Sequence, residues 1–242
     1  LKTNLLLFYY FYFDKIKPKY IIVLKGGNMR ITGICGSPRG EKSQTKILLI
    51  NFLNVCKERG FDTEIIDLSK YRVNFCLACE ICHKQPDCPL KDDRNLIVEK
   101  MLLSDGIVFA SPVYIDSVSA QLKSLFDRTS HFIHCLRLTG KYTFGIVTSG
   151  SGRGEVVLDY IKHYSNVVGA QFVGGINVKV PLKKEDLENE IPLAEDFLKA
   201  IKEKREYKDQ KEKIERNRIY FKKLVEMRKE EWKYEYEYWQ KI

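Results

Sequence analysis

Four of the seven cysteines of this 242-residue chain fall within thirteen positions, as Cys76, Cys79, Cys82 and Cys88, with Pro89 following the last. Such crowding reads as a metal or redox site in a reducing compartment rather than a secreted disulfide scaffold. The spacing C-x2-C-x2-C-x5-C lets one coil of backbone bring three thiolates to a single inorganic core, as in short ferredoxin runs. Structural zinc prefers two separated knuckles on opposite sides of the ion, and the sequence has no second knuckle. His83, adjacent to Cys82, is badly placed to share its metal. A [4Fe–4S] cluster on Cys76, Cys79, Cys82 and Cys88 is therefore the expected occupant. Cys35, Cys56 and Cys135 lie in apolar or amphipathic runs and are expected to be buried small hydrophobes. His131, His134 and His163 are scattered on helical stretches and receive no role.

Three loops carry a second chemistry. The first, Gly36-Ser37-Pro38-Arg39-Gly40-Glu41-Lys42-Ser43-Gln44-Thr45, joins a strand to a helix. Its glycines let a ligand approach the backbone, the helix start offers free N–H groups, and three hydroxyls plus Arg39 suit a dianionic phosphate. It is neither a Walker A loop nor GxGxxG, because Glu41 stands between Gly40 and Lys42 and the glycine spacing differs. Hydroxyl-rich loops of this kind suit a mononucleotide such as FMN. The second, Ser111-Pro112-Val113-Tyr114-Ile115, is stiffened by Pro112, and the N–H groups of residues 113–115 are expected to face the polar edge of a planar ring. The third, Thr148-Ser149-Gly150-Ser151-Gly152-Arg153-Gly154, combines hydroxyls with three glycines. Each alone could be turn chemistry; three together are harder to dismiss.

The elements that must position these loops alternate strand and helix. Arg30–Cys35, Thr63–Leu68, Gly106–Ala110, Tyr142–Thr148 and Gln171–Val178 read as strands. Helical spacing covers Lys42–Arg59, about Asp93 to Leu103, Val118–Phe132 and Gly154–Val168. This alternation predicts an α/β fold: a doubly wound, five-stranded parallel sheet, with the cysteine-rich loop 76–89 after the second strand and a C-terminal helical extension. In such sheets ligands sit beyond the carboxyl ends of the strands, which is where all three loops fall.

At these loops the chain resembles the flavodoxin-like family of NAD(P)H-dependent FMN reductases. The resemblance rests on Gly36-Ser37-Pro38-Arg39 with Ser43-Gln44-Thr45, and on Ser111-Pro112-Val113-Tyr114 followed by Gln121-Leu122-Lys123 and Phe126-Asp127-Arg128. Thr148-Ser149-Gly150 completes it. It spans residues 30–180, about three-fifths of the chain, and the cysteine loop is most similar to that of archaeal and anaerobic iron–sulfur flavoproteins. The resemblance implies FMN with its phosphate near Ser37, Arg39, Ser43, Gln44 and Thr45. The isoalloxazine would lie against Pro112, Val113, Tyr114 and Ile115 and against Thr148, Ser149 and Gly150. It also implies a homodimer or dimer of dimers, each cluster close to a neighbour's flavin. The expected function is electron transfer from a one-electron donor such as ferredoxin, through FMN, to a two-electron acceptor. No side chain needs to act as acid or base, since the chemistry belongs to the cofactors. The alternative is a flavin-only NAD(P)H-dependent FMN or quinone reductase whose loop cysteines are free thiols or a redox-active pair.

Composition excludes other classes. With 44% hydrophobic and 30% charged residues and no long apolar run, the chain reads as globular, without a membrane span and cytoplasmic. The net charge of +9 forms no patch: residues 1–28 carry five Lys against one Asp, residues 181–242 carry 17 basic against 16 acidic residues, and residues 29–180 carry the remaining +4. A nucleic-acid surface is therefore not expected. Residues 1–28 include the aromatic run Leu5–Phe13 and end in Lys25-Gly26-Gly27 before Met29, whose codons can spell a ribosome-binding sequence. They are expected to be a non-native upstream extension or disordered leader, a membrane-surface anchor being the other possibility. Residues 29–180 form the FMN-binding domain, and 181–242 a charged, glycine-free helical and aromatic extension. In that extension Leu193, Phe197, Leu198 and Ile201, and then Ile214, Tyr220, Phe221, Leu224 and Val225, make packing stripes. The segment 231–239, where aromatics alternate with charges, is expected to be an edge strand or an aromatic docking segment, packing on its own subunit or on a partner.

Overall fold

A computed structural model describes residues 28–150 and 152–242. The leader other than Asn28, and Ser151 of the third loop, lie outside the described residues. The strands are β1 (Arg30–Cys35), β2 (Asp62–Asp67), β3 (Gly106–Pro112), β4 (Tyr142–Ser149) and β5 (Gln171–Lys179). They form one all-parallel sheet in the order β2-β1-β3-β4-β5, so the order reverses at β1 and β3 and opens a crevice beyond their carboxyl ends. The helices that return the chain are α1 (Gln44–Glu58), α2 (Arg94–Leu103), α3 (Ala120–Asp127), α4 (Phe132–Cys135) and α5 (Gly154–Val167).

Alternation along the strands divides the core in two. Ile107 and Phe109 of β3 face α2, α3 and α5 through Ile97, Met101, Leu125 and Ile161. Val108 and Ala110 face the opposite way, onto α1 through Leu48, Leu49 and Phe52. The C-terminal region supplies α6 (Lys184–Glu203), α7 (Lys208–Met227) and α8 (Lys233–Gln240). Helix α6 completes the α1 face with Phe197, Leu198 and Ile201.

Two expectations are corrected. The helical stretch 118–132 breaks into α3 and α4, because the Thr129 hydroxyl turns back onto the carbonyls of Leu125 and Phe126, both at 3.0 Å, and the chain turns there. The segment 231–239 is not an edge strand. Trp232, Glu235 and Trp239 are buried, and their spacing of three and four puts them on one helical face. Trp232 and Trp239 join Leu136, Ile214 and Val225 in a small third core, whereas Tyr220 of the expected stripe is exposed. No helix among the described residues is long and apolar enough to cross a membrane.

Candidate cofactor site

The first loop crosses tightly over the start of α3. A Cβ at Gly36 would lie 2.8 Å from both Leu122 Cβ and Ser119 Oγ, so only glycine fits. The Ser119 hydroxyl caps α3 and donates to the Gly36 carbonyl at 2.5 Å. Ser43 caps α1 by accepting from the Lys46 N–H at 3.1 Å. The N–H groups of Gln44 and Thr45, in the first turn of α1, have no intrahelical partner. Ser37, Ser43 and Thr45 are buried, whereas Arg39 is exposed and has no carboxylate partner among the described residues. Lys46, by contrast, is committed to Glu41 at 2.7 Å and Asp67 at 2.9 Å. The Gln44 side chain is turned outward, its Oε1 accepting from the Leu182 N–H at 2.7 Å.

First and third loops are tied together by the Thr45 and Thr148 hydroxyls, 2.6 Å apart. Ser149 is buried, and a Cβ at Gly150 would meet nothing within 4 Å, which leaves the loop face open for a ligand. The second loop departs from expectation. The Val113 N–H donates to the Thr148 carbonyl at 2.8 Å and the Tyr114 N–H to the Ser117 carbonyl at 3.1 Å, so neither is free to face a ring. Tyr114 and Ser117 bracket a two-residue turn of Ile115 and Asp116 with φ of 49° and 54°. Left-handed backbone is unusual for a β-branched residue, and such strain concentrates at ligand sites. Ile115 is fully exposed, and its N–H has no partner among the described residues. Asp116 pairs with Arg153 at 3.1 Å, linking the second loop to the third.

The cysteine loop leaves β2 and runs irregularly to Asp93, cinched at its base. The Asp92 carboxylate accepts from the Asn74 N–H at 2.9 Å and from the Arg128 guanidinium at 2.7 Å; Arg128 also donates to the Asn74 carbonyl at 2.9 Å. Ala78 and Glu80 adopt φ of 49° and 57°, turning the chain between Cys76, Cys79 and Cys82. Cys76 and Cys79 are exposed, Cys82 and Cys88 half-buried. Two buried guanidiniums lie beneath them. Arg128 donates to the Cys88 sulfur at 3.2 Å. Arg94, 1% exposed, donates to the Arg128 carbonyl, Asn95 and His131, and has no carboxylate partner among the described residues. Burial pulls its pKa down, and the Cys88 and Cys82 sulfurs are among the groups that push it back. Burial, and then the Glu235 carboxylate, push the Cys82 thiol up to about 11. Cys35, Cys56 and Cys135 are buried in the core.

These observations bear on which group fits. A buried, unpaired guanidinium is costly to desolvate unless an anion compensates it, and a thiolate-bound cluster is an anion. A tetrahedral zinc with Zn–S near 2.3 Å would need sulfurs about 3.8 Å apart. Among the described residues no three of the four thiols converge within 4.8 Å, a wider arrangement than a tetrahedral ion requires. The donor set fits a larger sulfur-ligated core. The Gln44 and Thr45 N–H groups, buried hydroxyls and exposed Arg39 likewise fit a phosphate.

One constellation escaped the sequence reading. His83, His134 and Glu235 come together although His83 and Glu235 are 152 positions apart. No local spacing signals it, and only the helical face shared by Trp232 and Glu235 hinted that Glu235 points inward.

A parallel sheet of order 2-1-3-4-5 with ligand loops at the switch point places the molecule in the flavodoxin-like class. The solved NAD(P)H:quinone oxidoreductase of Methanothermobacter marburgensis shares this fold, with a TM-score of 0.56 at 19% identity over 75% of this chain and 98% of that one. The chain belongs to the NADPH-dependent FMN reductase family, an FMN-dependent oxidoreductase family whose model matches residues 29–185. It is 39% identical to an iron–sulfur flavoprotein of Methanocaldococcus jannaschii over 138 residues, 56% of this chain and 71% of that protein. An iron–sulfur flavoprotein of Methanosarcina thermophila is 48% identical over 101 residues, 42% of this chain and 52% of that protein.

Proposed function

We propose that this chain is an electron-transfer flavoprotein that binds FMN and a [4Fe–4S] cluster. It couples a one-electron donor such as ferredoxin to a two-electron acceptor. Bound FMN supplies the exchange between single electrons and pairs. The chain's own residues bind and orient. Arg39, the α1 N–H groups and the hydroxyls of Ser37, Ser43 and Thr45 hold the phosphate; Pro112, Tyr114, Ile115 and the Thr148–Gly150 segment flank the ring. Cys76, Cys79, Cys82 and Cys88 ligate the cluster, and Arg94 and Arg128 balance its charge.

The observation that carries this reading is the buried Arg128 guanidinium on the Cys88 sulfur at 3.2 Å, backed by the buried Arg94, which donates to the Arg128 carbonyl and has no carboxylate partner among the described residues. The exposed side chains of Phe75 and Leu77 beside Cys76, and of Ile115, suit coverage by a second copy in a dimer or tetramer.

The test is the visible spectrum with iron and sulfide content of protein purified without oxygen. Flavin bands on a broad shoulder near 400 nm, with about four irons per chain that are lost in Cys79→Ala, support the reading. A two-band flavin spectrum without iron makes this a flavin-only reductase.

A further inference from the structure

Outside the cofactor crevice, α8 meets the cysteine loop at His83. Glu235 of α8 is fully buried, and its two carboxylate oxygens are divided between two imidazoles. Oε1 lies 2.6 Å from Nδ1 of His83, on the short 3-10 turn Ile81–His83, and Oε2 lies 2.9 Å from Nδ1 of His134, on α4. The three ligand atoms all lie within 4.8 Å of one another.

The rings that present these nitrogens are held in place. The two imidazoles are stacked within 17° of parallel at 5.0 Å between centroids, and both lie against Trp232, at 4.7 and 4.6 Å. Packing thus fixes the orientation that brings both Nδ1 atoms to the same carboxylate, the task that surrounding groups perform for metal-bound histidines. Arg137 is engaged with Tyr234 at 2.7 Å and with the Phe132 and Tyr238 rings, and Arg228 lies over the Trp232 ring at 4.9 Å, so among the described residues neither pairs with the carboxylate. A carboxylate offers about four acceptor positions, and here each oxygen has one imidazole partner.

We propose that His83, His134 and Glu235 bind a divalent transition-metal ion of the zinc type, fastening α8 to the turn that carries Cys82. Two imidazoles and one carboxylate are a recurrent zinc set, with a fourth position left to water. At Zn–N and Zn–O near 2.0–2.1 Å, tetrahedral ligand atoms stand about 3.3 Å apart. The observed separations of 2.6 and 2.9 Å need to open by about 0.7 and about 0.4 Å. The imidazoles, whose side chains are 13% and 18% exposed, give the ion a route from solvent.

The proposal does not rest on the cluster, because iron and zinc are counted separately. Protein purified without oxygen, with FMN and iron loaded, is equilibrated with micromolar ZnCl2, desalted and measured by mass spectrometry of its metals. About one zinc per chain is expected in the unaltered protein. In His134→Ala and Glu235→Gln it should fall at least tenfold with iron unchanged. X-ray absorption at the zinc edge should show only nitrogen and oxygen neighbours near 2.0 Å. Less than about 0.2 zinc per chain in the unaltered protein overturns the proposal, as does a sulfur shell near 2.3 Å that accounts for the metal. Zinc retained in both variants overturns it too. The absorption spectrum of the unaltered protein decides the matter even if a variant loses its folded tail.

Discussion

The Arg128 guanidinium donates a hydrogen bond to the Cys88 sulfur at 3.2 Å while pairing with the buried Asp92 carboxylate at 2.7 Å. One side chain thus fixes both the base of the cysteine loop and the electrostatics of a thiol within it. Hydrogen bonds to cluster sulfurs raise reduction potential, and breaking a buried ion pair leaves an uncompensated charge costing about 3–5 kcal/mol. Arg128→Met should therefore lower global stability by about that amount in urea unfolding. In whatever fraction keeps its iron, the cluster potential should be more negative in an EPR-monitored titration. A variant with unchanged stability would show that the pair is dispensable.

Arg39 is an exposed cation of the first loop without a carboxylate partner among the described residues. Hydrogen bonds to charged groups contribute about 1.5–3 kcal/mol, so Arg39→Ala should weaken FMN binding roughly 10- to 100-fold. Quenching of flavin fluorescence measures this directly. Riboflavin, which lacks the phosphate, should bind both proteins alike; an equal loss for both ligands would move the phosphate elsewhere.

Ile115 sits at φ 49° with its side chain fully exposed. Left-handed backbone costs an ordinary residue about 1–2 kcal/mol, of which glycine's greater unfolded entropy cancels about half. Ile115→Gly should raise the stability of the FMN-free monomer by about 0.5–1 kcal/mol. A lowered Tm would mean that the isoleucine is covered in solution by something it needs.

Glu190, on α6, is buried beneath Asn51, which donates to its Oε2 at 2.9 Å, and burial pushes its carboxyl up to about 8. The folded protein holds this proton to higher pH than the unfolded chain does. The contribution to stability is thus intact below about pH 4.5, falls as pH rises, and is fully lost above about pH 8. Glu190→Gln should flatten this part of the pH–stability curve and make the variant the more stable protein at pH 9. Thermal unfolding between pH 5 and 9 checks the sign; a variant that is less stable at pH 9 would refute it.

Much of the fold was legible because short apolar runs and amphipathic runs alternate cleanly. The β1 run was read to the residue, and β4 differs from the expected Tyr142–Thr148 by one position. What failed failed for physical reasons. The hydroxyl of Thr129 competes for helix carbonyls, which apolar spacing does not register. The alternation of aromatic and charged residues in 231–239 imitates a strand, although the buried residues follow helical spacing. At the candidate site, residue types and loop positions could be read, but not which groups were already spent. The Val113 N–H and the Gln44 side-chain Oε1 have protein partners supplied by Thr148 and Leu182, far away in sequence. The same holds for Arg94 and for Glu235, whose importance lies in contacts across 34 to 152 positions.

The joint between His83 and Glu235 also sets a timetable. A ribosome adds roughly 5–20 residues each second, so the 152 positions between them take roughly 8–30 s to make. Cys76, Cys79 and Cys82 precede His83, so throughout that interval their turn lacks the residue that pins it. Over that interval the loop thiols lie on a turn without its anchor, and oxidants or stray metals can reach the exposed ones.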